Sequence, residues 1–201
     1  MRLVTLGVGA ADSPRYAPAG LLVARGGVRV MLDGGPGAEP AGRVHAWLLT
    51  DERAELRSRL RKLAGEQGLR PRVGGFARGD LRIDIRPVVH TSHSTFGYWI
   101  EAPEGTVVWA PEFLEFPGWA QGAGLMFAEA AGWERPIRFA GGVGGHLHVP
   151  AVAEAARRHQ VGRLVFAHIG RPTIRAIDRG ERPTFGEFAH DGQVFRVTSR
   201  R

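Results

Sequence analysis

The stretch GLLVARGGVRVMLDGG, residues 20–35, has the pattern of a β-hairpin that ends in an acidic residue. Its two arms, residues 20–25 and 28–32, are rich in the aliphatic and β-branched side chains that favour strands. Gly26 and Gly27 between the arms can both adopt a positive φ, as a two-residue hairpin turn requires. The second arm runs directly into Asp33, so the hairpin predicts a carboxylate at the end of a strand, where loops converge.

The rest of the chain is predicted to contain short strands and two helices. An acidic start, a basic end and an apolar stripe indicate a helix over residues 51–64. A second helix over residues 150–159 begins with Pro150, which suits a first helical turn. Further strands are predicted over residues 3–8, 44–50, 81–89, 96–101, 106–110, 124–128, 163–169 and 193–198. This order favours one layered α/β domain with two sheets over a strictly alternating parallel sheet.

The composition excludes several classes of protein. Hydrophobic residues are 43% and charged residues 23% of the 201, a balance that excludes intrinsic disorder. No apolar run approaches a membrane span, and the first residues lack the apolar region of a signal peptide, so we expect a cytoplasmic protein without a membrane partner. Because there is no cysteine, a metal ion would be held by histidine and carboxylate side chains.

The net charge of the chain is positive and comes almost entirely from arginine side chains. The formal net charge is +7, and Lys62 is the only lysine among 27 cationic side chains. A GC-rich genome and a polyanionic partner both account for such a composition, since the guanidinium group suits phosphate. The arginines are scattered, except for a run at Arg53, Arg57, Arg59 and Arg61. A small phosphate-bearing substrate and a nucleic acid both stay open as partners, and the oligomeric state is not indicated.

Acidic and imidazole groups recur where predicted strands end. Such positions gather side chains from several loops into one site. The groups concerned are Asp33, Asp51, His90, His93, Glu112 and His168. The repetition predicts a functional site along one sheet edge.

The chain resembles the metallo-β-lactamase-fold hydrolases, and the ribonuclease Z and cyclic-phosphodiesterase branch is the nearest in style. The opening LGVGAADSPR, residues 6–15, followed by MLDGG, residues 31–35, is similar to the start of these proteins. The closing segment GRLVFAH, residues 162–168, with His146 upstream, is the most specific part. The resemblance implies a four-layer αββα sandwich formed by residues 1–201 as a single domain.

The resemblance also implies roles for individual residues. The stretch HTSHSTFGYWIE, residues 90–101, is similar to one that carries a metal-binding histidine, which falls on His93. The stretch VVWAPE resembles the strand that ends in the metal-bridging aspartate, here Glu112. In the closing segment a metal ligand falls on His168, and a proton donor near the scissile phosphate falls on His146.

One motif of these hydrolases is missing. They carry T-H-x-H-x-D-H after the fourth strand, which supplies most ligands for two metal ions. This chain has TDERAEL, residues 50–56, so Asp51 and Arg53 stand where the paired histidines would be. Glu55 replaces the aspartate and Leu56 the last histidine. The remaining residues cannot build a two-zinc site.

Three interpretations of this loss are open. In the first, one Zn²⁺, Mn²⁺ or Fe²⁺ ion remains, a choice that mixed nitrogen and oxygen ligands allow. Its ligands would be Asp51, His93, Glu112 and His168. In the second, the Arg53 guanidinium occupies a lost ion's place, points into the site about 2.7–3.0 Å from a carboxylate and holds an anion. In the third, no metal binds and the polar residues form a buried network on a retained scaffold.

The function implied is that of a divergent hydrolase. We expect it to act on a phosphodiester or another ester with one metal ion or none, with His146 as proton donor and Arg53 as an anion clamp. The alternative is a non-catalytic module that binds a phosphorylated ligand or nucleic acid.

Overall fold

A computed structural model describes residues 1–142 and 144–199 of the chain. The first seven strands are β1 (Arg2–Gly7), β2 (Gly20–Arg25), β3 (Val28–Asp33), β4 (Ala46–Leu48), β5 (Phe76–Arg78), β6 (Leu81–Val88) and β7 (Thr95–Ala102). The others are β8 (Gly105–Ala110), β9 (Leu125–Ala130), β10 (Ile137–Arg138), β11 (Gly145–His146), β12 (Leu164–Ile169), β13 (Glu187–Phe188) and β14 (Gln193–Arg196). The α-helices are α1 (Arg57–Glu66), α2 (Val149–Arg158) and α3 (Arg171–Asp178).

The smaller sheet has five strands in the order β14-β1-β2-β3-β4. The predicted hairpin forms its centre: β2 and β3 pair antiparallel from Gly20 opposite Asp33 to the turn at Gly26 and Gly27, which have φ values of 54° and 80°. Side chains alternate between the faces, as a strand requires. The face with Leu21 packs into the main core, and the opposite face, with Leu22, packs against α1.

The larger sheet has seven strands in the order β13-β12-β9-β8-β7-β6-β5. The neighbours β8, β9 and β12 are parallel to one another, so their carboxyl ends lie at the same edge. Strands β9 and β12 are buried along their whole length, which explains their nearly continuous apolar sequence. Residues that end or follow these three strands are therefore brought together at one edge.

The two sheets pack face to face between helices, as the αββα prediction requires. The main core joins side chains of both sheets, for example Leu21 with Phe127. On the outer side of the larger sheet, α2 contacts β9 and β12 and buries Val152 and Ala156. Among the described residues, no helix is both long and apolar enough to span a membrane.

The helix predicted over residues 51–64 begins later than expected, at Arg57. The Asp51 carboxylate accepts a hydrogen bond from the Arg53 backbone N–H at 2.7 Å, and such an Asx turn competes with helix formation. Arg53 therefore precedes the helix and does not lie in its first turn. The helix predicted over residues 150–159 is confirmed within one residue at each end. Helix α3 and the short strands β5, β10, β11 and β13 were not predicted, because each is too short for a periodic pattern.

Candidate functional site

Glu112 joins two histidines at the edge where β8 and β12 end. Its two carboxylate oxygens face different rings: Oε2 lies 2.8 Å from His90 Nε2, and Oε1 lies 3.1 Å from His168 Nε2. The backbone conformation of His168 sets the direction of its side chain. Its φ is 57°, at the point where the pairing of β12 with β9 shifts register. A left-handed residue other than glycine is uncommon and is frequent at functional sites.

A second carboxylate, Glu129, lies fully buried beneath this cluster on β9. Its Oε2 lies 2.7 Å from His146 Nδ1, and its Oε1 lies 3.3 Å from His168 Nδ1. The backbone N–H groups of Phe113 and Ala131 also donate to it, at 3.1 and 2.8 Å. Each oxygen thus accepts two hydrogen bonds, which satisfies the ionised carboxylate.

Glu129 fixes the orientation of the two imidazoles that it contacts. Because a carboxylate only accepts, Nδ1 of each ring carries a proton, and in His168 the second ring nitrogen, Nε2, contacts Glu112. His90 is held in the same way, with Nδ1 2.9 Å from the Gly145 carbonyl oxygen. In His146, Nε2 makes no hydrogen bond with any described residue.

The contacts shift the pKa values of the cluster. Burial alone would raise the pKa of Glu112, but the neighbouring His168 and His90 outweigh it and hold that pKa well below its usual range. The same balance, dominated by His146 and His168, lowers the pKa of Glu129 to about 2. Burial would lower the pKa of His168, yet the two carboxylates raise it to about 10. His168 and the two carboxylates that it contacts therefore form imidazolium–carboxylate ion pairs.

Asp51 and His93 form a separate pair on the other side of the site. His93 Nε2 lies 2.9 and 3.0 Å from the two oxygens of Asp51. Among the described residues, no hydrogen bond or ion pair connects this pair to Glu112. The four residues expected to share an ion are thus arranged as two pairs, Asp51 with His93 and Glu112 with His168.

Arg53 is not placed as predicted. Its side chain is exposed, and within the described part of the chain its guanidinium makes no hydrogen bond or ion pair with a carboxylate. The prediction of a direct contact at about 2.7–3.0 Å is wrong because Asp51, the nearest candidate in sequence, accepts from the Arg53 backbone and pairs with His93. The residue nevertheless lines the same cavity as the histidines.

A cavity of about 600 Å³ brings all the predicted site residues together. Its lining includes Asp51, Arg53, His93, Glu112, His146 and His168, together with Asp33 and His90. The volume is within the range of small-molecule sites. The residues predicted to form a site therefore line one cavity, and Asp33 and His90 line it with them.

The sequence placed His90 among the groups at strand ends without giving it a role, and it gave no role to Glu129. His90 lies only three residues before His93, and spacing alone does not tell which of the two reaches Glu112. Glu129 stands in the apolar run LMFAEA, and a charged residue in a strand that is otherwise buried is rarely unpaired. That isolated charge was the signal that could have identified it.

Comparison with known proteins identifies the fold. No family model and no curated protein matches the sequence. Solved structures of other proteins are similar along nearly the whole chain. YhfI from Bacillus subtilis, described as a metallo-β-lactamase-fold protein, has a TM-score of 0.73 and 14% identity over 97% of this chain and 99% of its own. This chain has the metallo-β-lactamase fold.

Two further solved structures have a similar fold. Zn²⁺-bound PqqB from Methylobacterium extorquens has a TM-score of 0.74 and 16% identity over 98% of this chain and 100% of its own. A diphosphatase from the PhnP family has a TM-score of 0.71 and 15% identity over 99% of each chain. The predicted fold is confirmed, and identities this low say nothing of activity.

The described residues include a cluster that could hold a metal ion. At the two positions where the family resemblance implies metal-binding histidines, Arg53 and Leu56 offer no metal-ligating atom. Donor atoms of Glu129, His146 and His168 lie within 4.8 Å of one another, so the cluster could hold an ion. Since Glu129 already accepts four hydrogen bonds, it is better suited to orient His168 than to bind metal, as carboxylates beside ligating histidines do. Glu112, which contacts Nε2 of both His90 and His168, lines the cavity together with these two rings.

Proposed function

We propose that this chain is a hydrolase of the metallo-β-lactamase fold that cleaves a phosphodiester or another ester with one divalent ion or none. The observation that carries the proposal is the buried Glu129, which orients His146 and His168 towards the cavity that Glu112 also lines. A pair of a fixed acceptor and an imidazole is the usual construction of a general acid or base.

Proton transfer is assigned to His146. Glu129 holds the proton on Nδ1, and Nε2 is directed away from that contact, in a position to donate a proton to a leaving oxygen. Glu129 thereby holds the ring in one orientation, as the acidic member of a catalytic triad does. Arg53 lines the cavity and supplies a positive charge for an anionic substrate.

Glu112, His168 and His90 would hold the ion, with Asp51 and His93 close by in the same cavity. When bound, a divalent ion supplies a Lewis acid and lowers the pKa of a nearby water molecule. Mixed imidazole and carboxylate ligands suit Zn²⁺, Mn²⁺ or Fe²⁺. The similarity to Zn²⁺-bound PqqB supports the presence of a metal site in this fold.

Hydrolysis of bis-p-nitrophenyl phosphate and p-nitrophenyl acetate, with and without added Zn²⁺ or Mn²⁺, tests the proposal. We expect slow turnover, below the ordinary range of about 1–10³ s⁻¹, because the paired histidines are missing. His146→Ala should lower the rate about 100-fold, since proton transfer contributes that much or more. His190→Ala, at an exposed site outside the cavity, is the control. Turnover that survives His146→Ala unchanged would overturn the assignment.

A non-catalytic binding module is the second candidate. It is favoured by the missing ligands at Arg53 and Leu56 and by the net charge of +7. Such a module would bind a phosphorylated ligand or nucleic acid, and the similarity to a PhnP-family diphosphatase agrees with phosphate as the recognised group. Binding without turnover of either ester, with any of the added ions, would favour this function.

A further inference from the structure

A second cavity, of about 300 Å³, lies beside the site and is lined mainly by arginines. Its charged residues are Glu52, Arg57, Arg61, Arg70 and Arg72. We refer to it as the arginine cavity. Four guanidinium groups face one carboxylate, so the lining carries three net positive charges.

The tertiary structure gathers these arginines from two segments. Arg57 and Arg61 lie one turn apart on α1, so they share a face of the helix. After the helix the chain reverses at Gly68, with φ 72°, and returns to the edge of β4. There Arg72 accepts a hydrogen bond from Leu49 N–H at 3.0 Å. This return places Arg70 and Arg72 next to the helix face.

The charges in the arginine cavity are not neutralised. Within residues 1–142 and 144–199, neither Arg57, Arg61 nor Arg70 forms an ion pair, and the Arg72 guanidinium donates only to the Gly75 carbonyl oxygen, at 3.2 Å. Six arginines elsewhere in the described residues have carboxylate partners, for example Arg15 with Asp178 and Arg163 with Glu187, whereas others, such as Arg53 and Arg59, have none. The arginine cavity differs from the single unpaired arginines because four guanidinium groups line one space. Like charges that converge without counter-charges create a strongly positive potential, which an anion relieves.

The arginine cavity adjoins the larger one along the segment that replaces the metal motif. Leu49 lines both cavities. Asp51 and Arg53 face the larger cavity, and Glu52 between them faces the arginine cavity. Helix α1 begins at this wall, and its first N–H groups have no side-chain cap, which adds to the positive potential.

We propose that the arginine cavity binds a phosphate group of a ligand that carries at least two phosphates, one of which lies in the larger cavity. Guanidinium groups hold phosphate oxygens by paired, charge-assisted hydrogen bonds. The ligand is a single nucleic-acid strand or a small molecule with two phosphates, since both present phosphates a few ångströms apart. The role of the larger cavity rests on the proposed function, whereas anion binding by the arginines does not.

Binding of two probes tests the proposal. One probe is a fluorescein-labelled oligothymidylate of about eight nucleotides, followed by fluorescence anisotropy, and the other is inorganic pyrophosphate, followed by calorimetry. Arg61→Glu and Arg70→Glu reverse a charge inside the cavity. Arg59→Glu makes the same change at an exposed site on α1 outside both cavities.

We expect Arg61→Glu and Arg70→Glu to weaken binding about tenfold or more, and Arg59→Glu to weaken it less than threefold. If only the oligonucleotide binds, the ligand is a nucleic-acid strand; if pyrophosphate binds with the same dependence on Arg61, it is a small phosphorylated molecule. Equal weakening by all three variants, or no binding of either probe, would overturn the proposal. Binding that depends on Arg61 in a protein without esterase activity would support the arginine cavity while refuting the hydrolase.

Discussion

His146 Nδ1 donates a hydrogen bond across 2.7 Å to Oε2 of Glu129, a carboxylate with no exposed surface. The two residues are 17 positions apart in the sequence and meet in the fold, since Glu129 lies in the core strand β9 and His146 in the short strand β11 before α2. Because the carboxylate also holds His168, one buried charge orients two side chains of the cavity. Loss of the Glu129 charge should therefore disturb the orientation of both His146 and His168.

Replacing Glu129 by glutamine should lower the free energy of unfolding by about 1–3 kcal/mol. The amide group can accept at one position only, so a backbone N–H or an imidazole N–H loses its acceptor in a buried place. Urea unfolding at pH 7 measures the change. Glu154→Gln, at an exposed position on α2, should leave the midpoint unchanged. Equal midpoints for both variants would contradict the role given to Glu129.

Metal content should depend on His90 more than on His93. Glu112 contacts His90 and His168, whereas His93 contacts Asp51, so His90→Ala and His168→Ala should both remove the ion. Metal analysis of untagged protein purified without chelator gives the number of ions per chain. The same variants should lose the rise in melting temperature that added Zn²⁺ or Mn²⁺ gives, because an ion that binds only the folded state stabilises it.

The opposite pattern would return the ligand role to His93. Loss of the ion in His93→Ala, with retention in His90→Ala, would support the assignment that the family resemblance implies. A protein that contains no ion and melts identically with and without Zn²⁺ or Mn²⁺ would contradict both ligand sets.

Titration of the Asp33 carboxyl should lower the free energy of unfolding as pH rises from about 4 to about 6. Shielding from solvent raises the pKa of this carboxyl to about 6, against hydrogen bonds from Trp109 and Thr50 that lower it. Between the unfolded and folded pKa values the folded protein binds more protons than the unfolded chain, so the free energy of unfolding decreases through this window and is level above it. The change is about 1–3 kcal/mol.

Comparison with Asp33→Asn isolates this contribution. The variant cannot titrate at residue 33, so the difference in free energy of unfolding between the natural protein and the variant should shrink from pH 4 to pH 6.5. Urea unfolding at several pH values measures it. A difference that does not change with pH would refute the raised pKa.

Gly144→Ala should destabilise the loop that supports His90. Gly144 has φ 144°, and a Cβ atom there would lie 1.9 Å from the His90 carbonyl oxygen. The backbone must move, so we expect a loss of at least about 2 kcal/mol in the free energy of unfolding. Gly65→Ala is the matched control, since it lies in α1 with open space around it and should stabilise the protein by about 0.5–1 kcal/mol. Similar effects of both changes would contradict this account.

Local sequence patterns were sufficient for most of the fold. The hairpin of β2 and β3 and the helix α2 were predicted within one residue, because glycine turns, alternating apolar side chains and a helical start at Pro150 act over a few neighbouring positions. The start of α1 was not predicted correctly. The reason is that the Asp51 side chain accepts a hydrogen bond from the Arg53 backbone N–H and also contacts His93, 42 residues away. That second contact depends on how the two sheets pack.

By itself the sequence determined that acidic and imidazole groups end several strands and that the T-H-x-H-x-D-H ligands are missing. Only the tertiary structure decided which of the acidic and imidazole groups contact one another. His90 rather than His93 contacts Glu112, and Glu129 reaches both His146 and His168, because strand register and loop conformation set these distances. The arginine cavity is likewise formed by segments that are separate in sequence, since Arg70 and Arg72 return to α1 only when the chain pairs with the edge of β4.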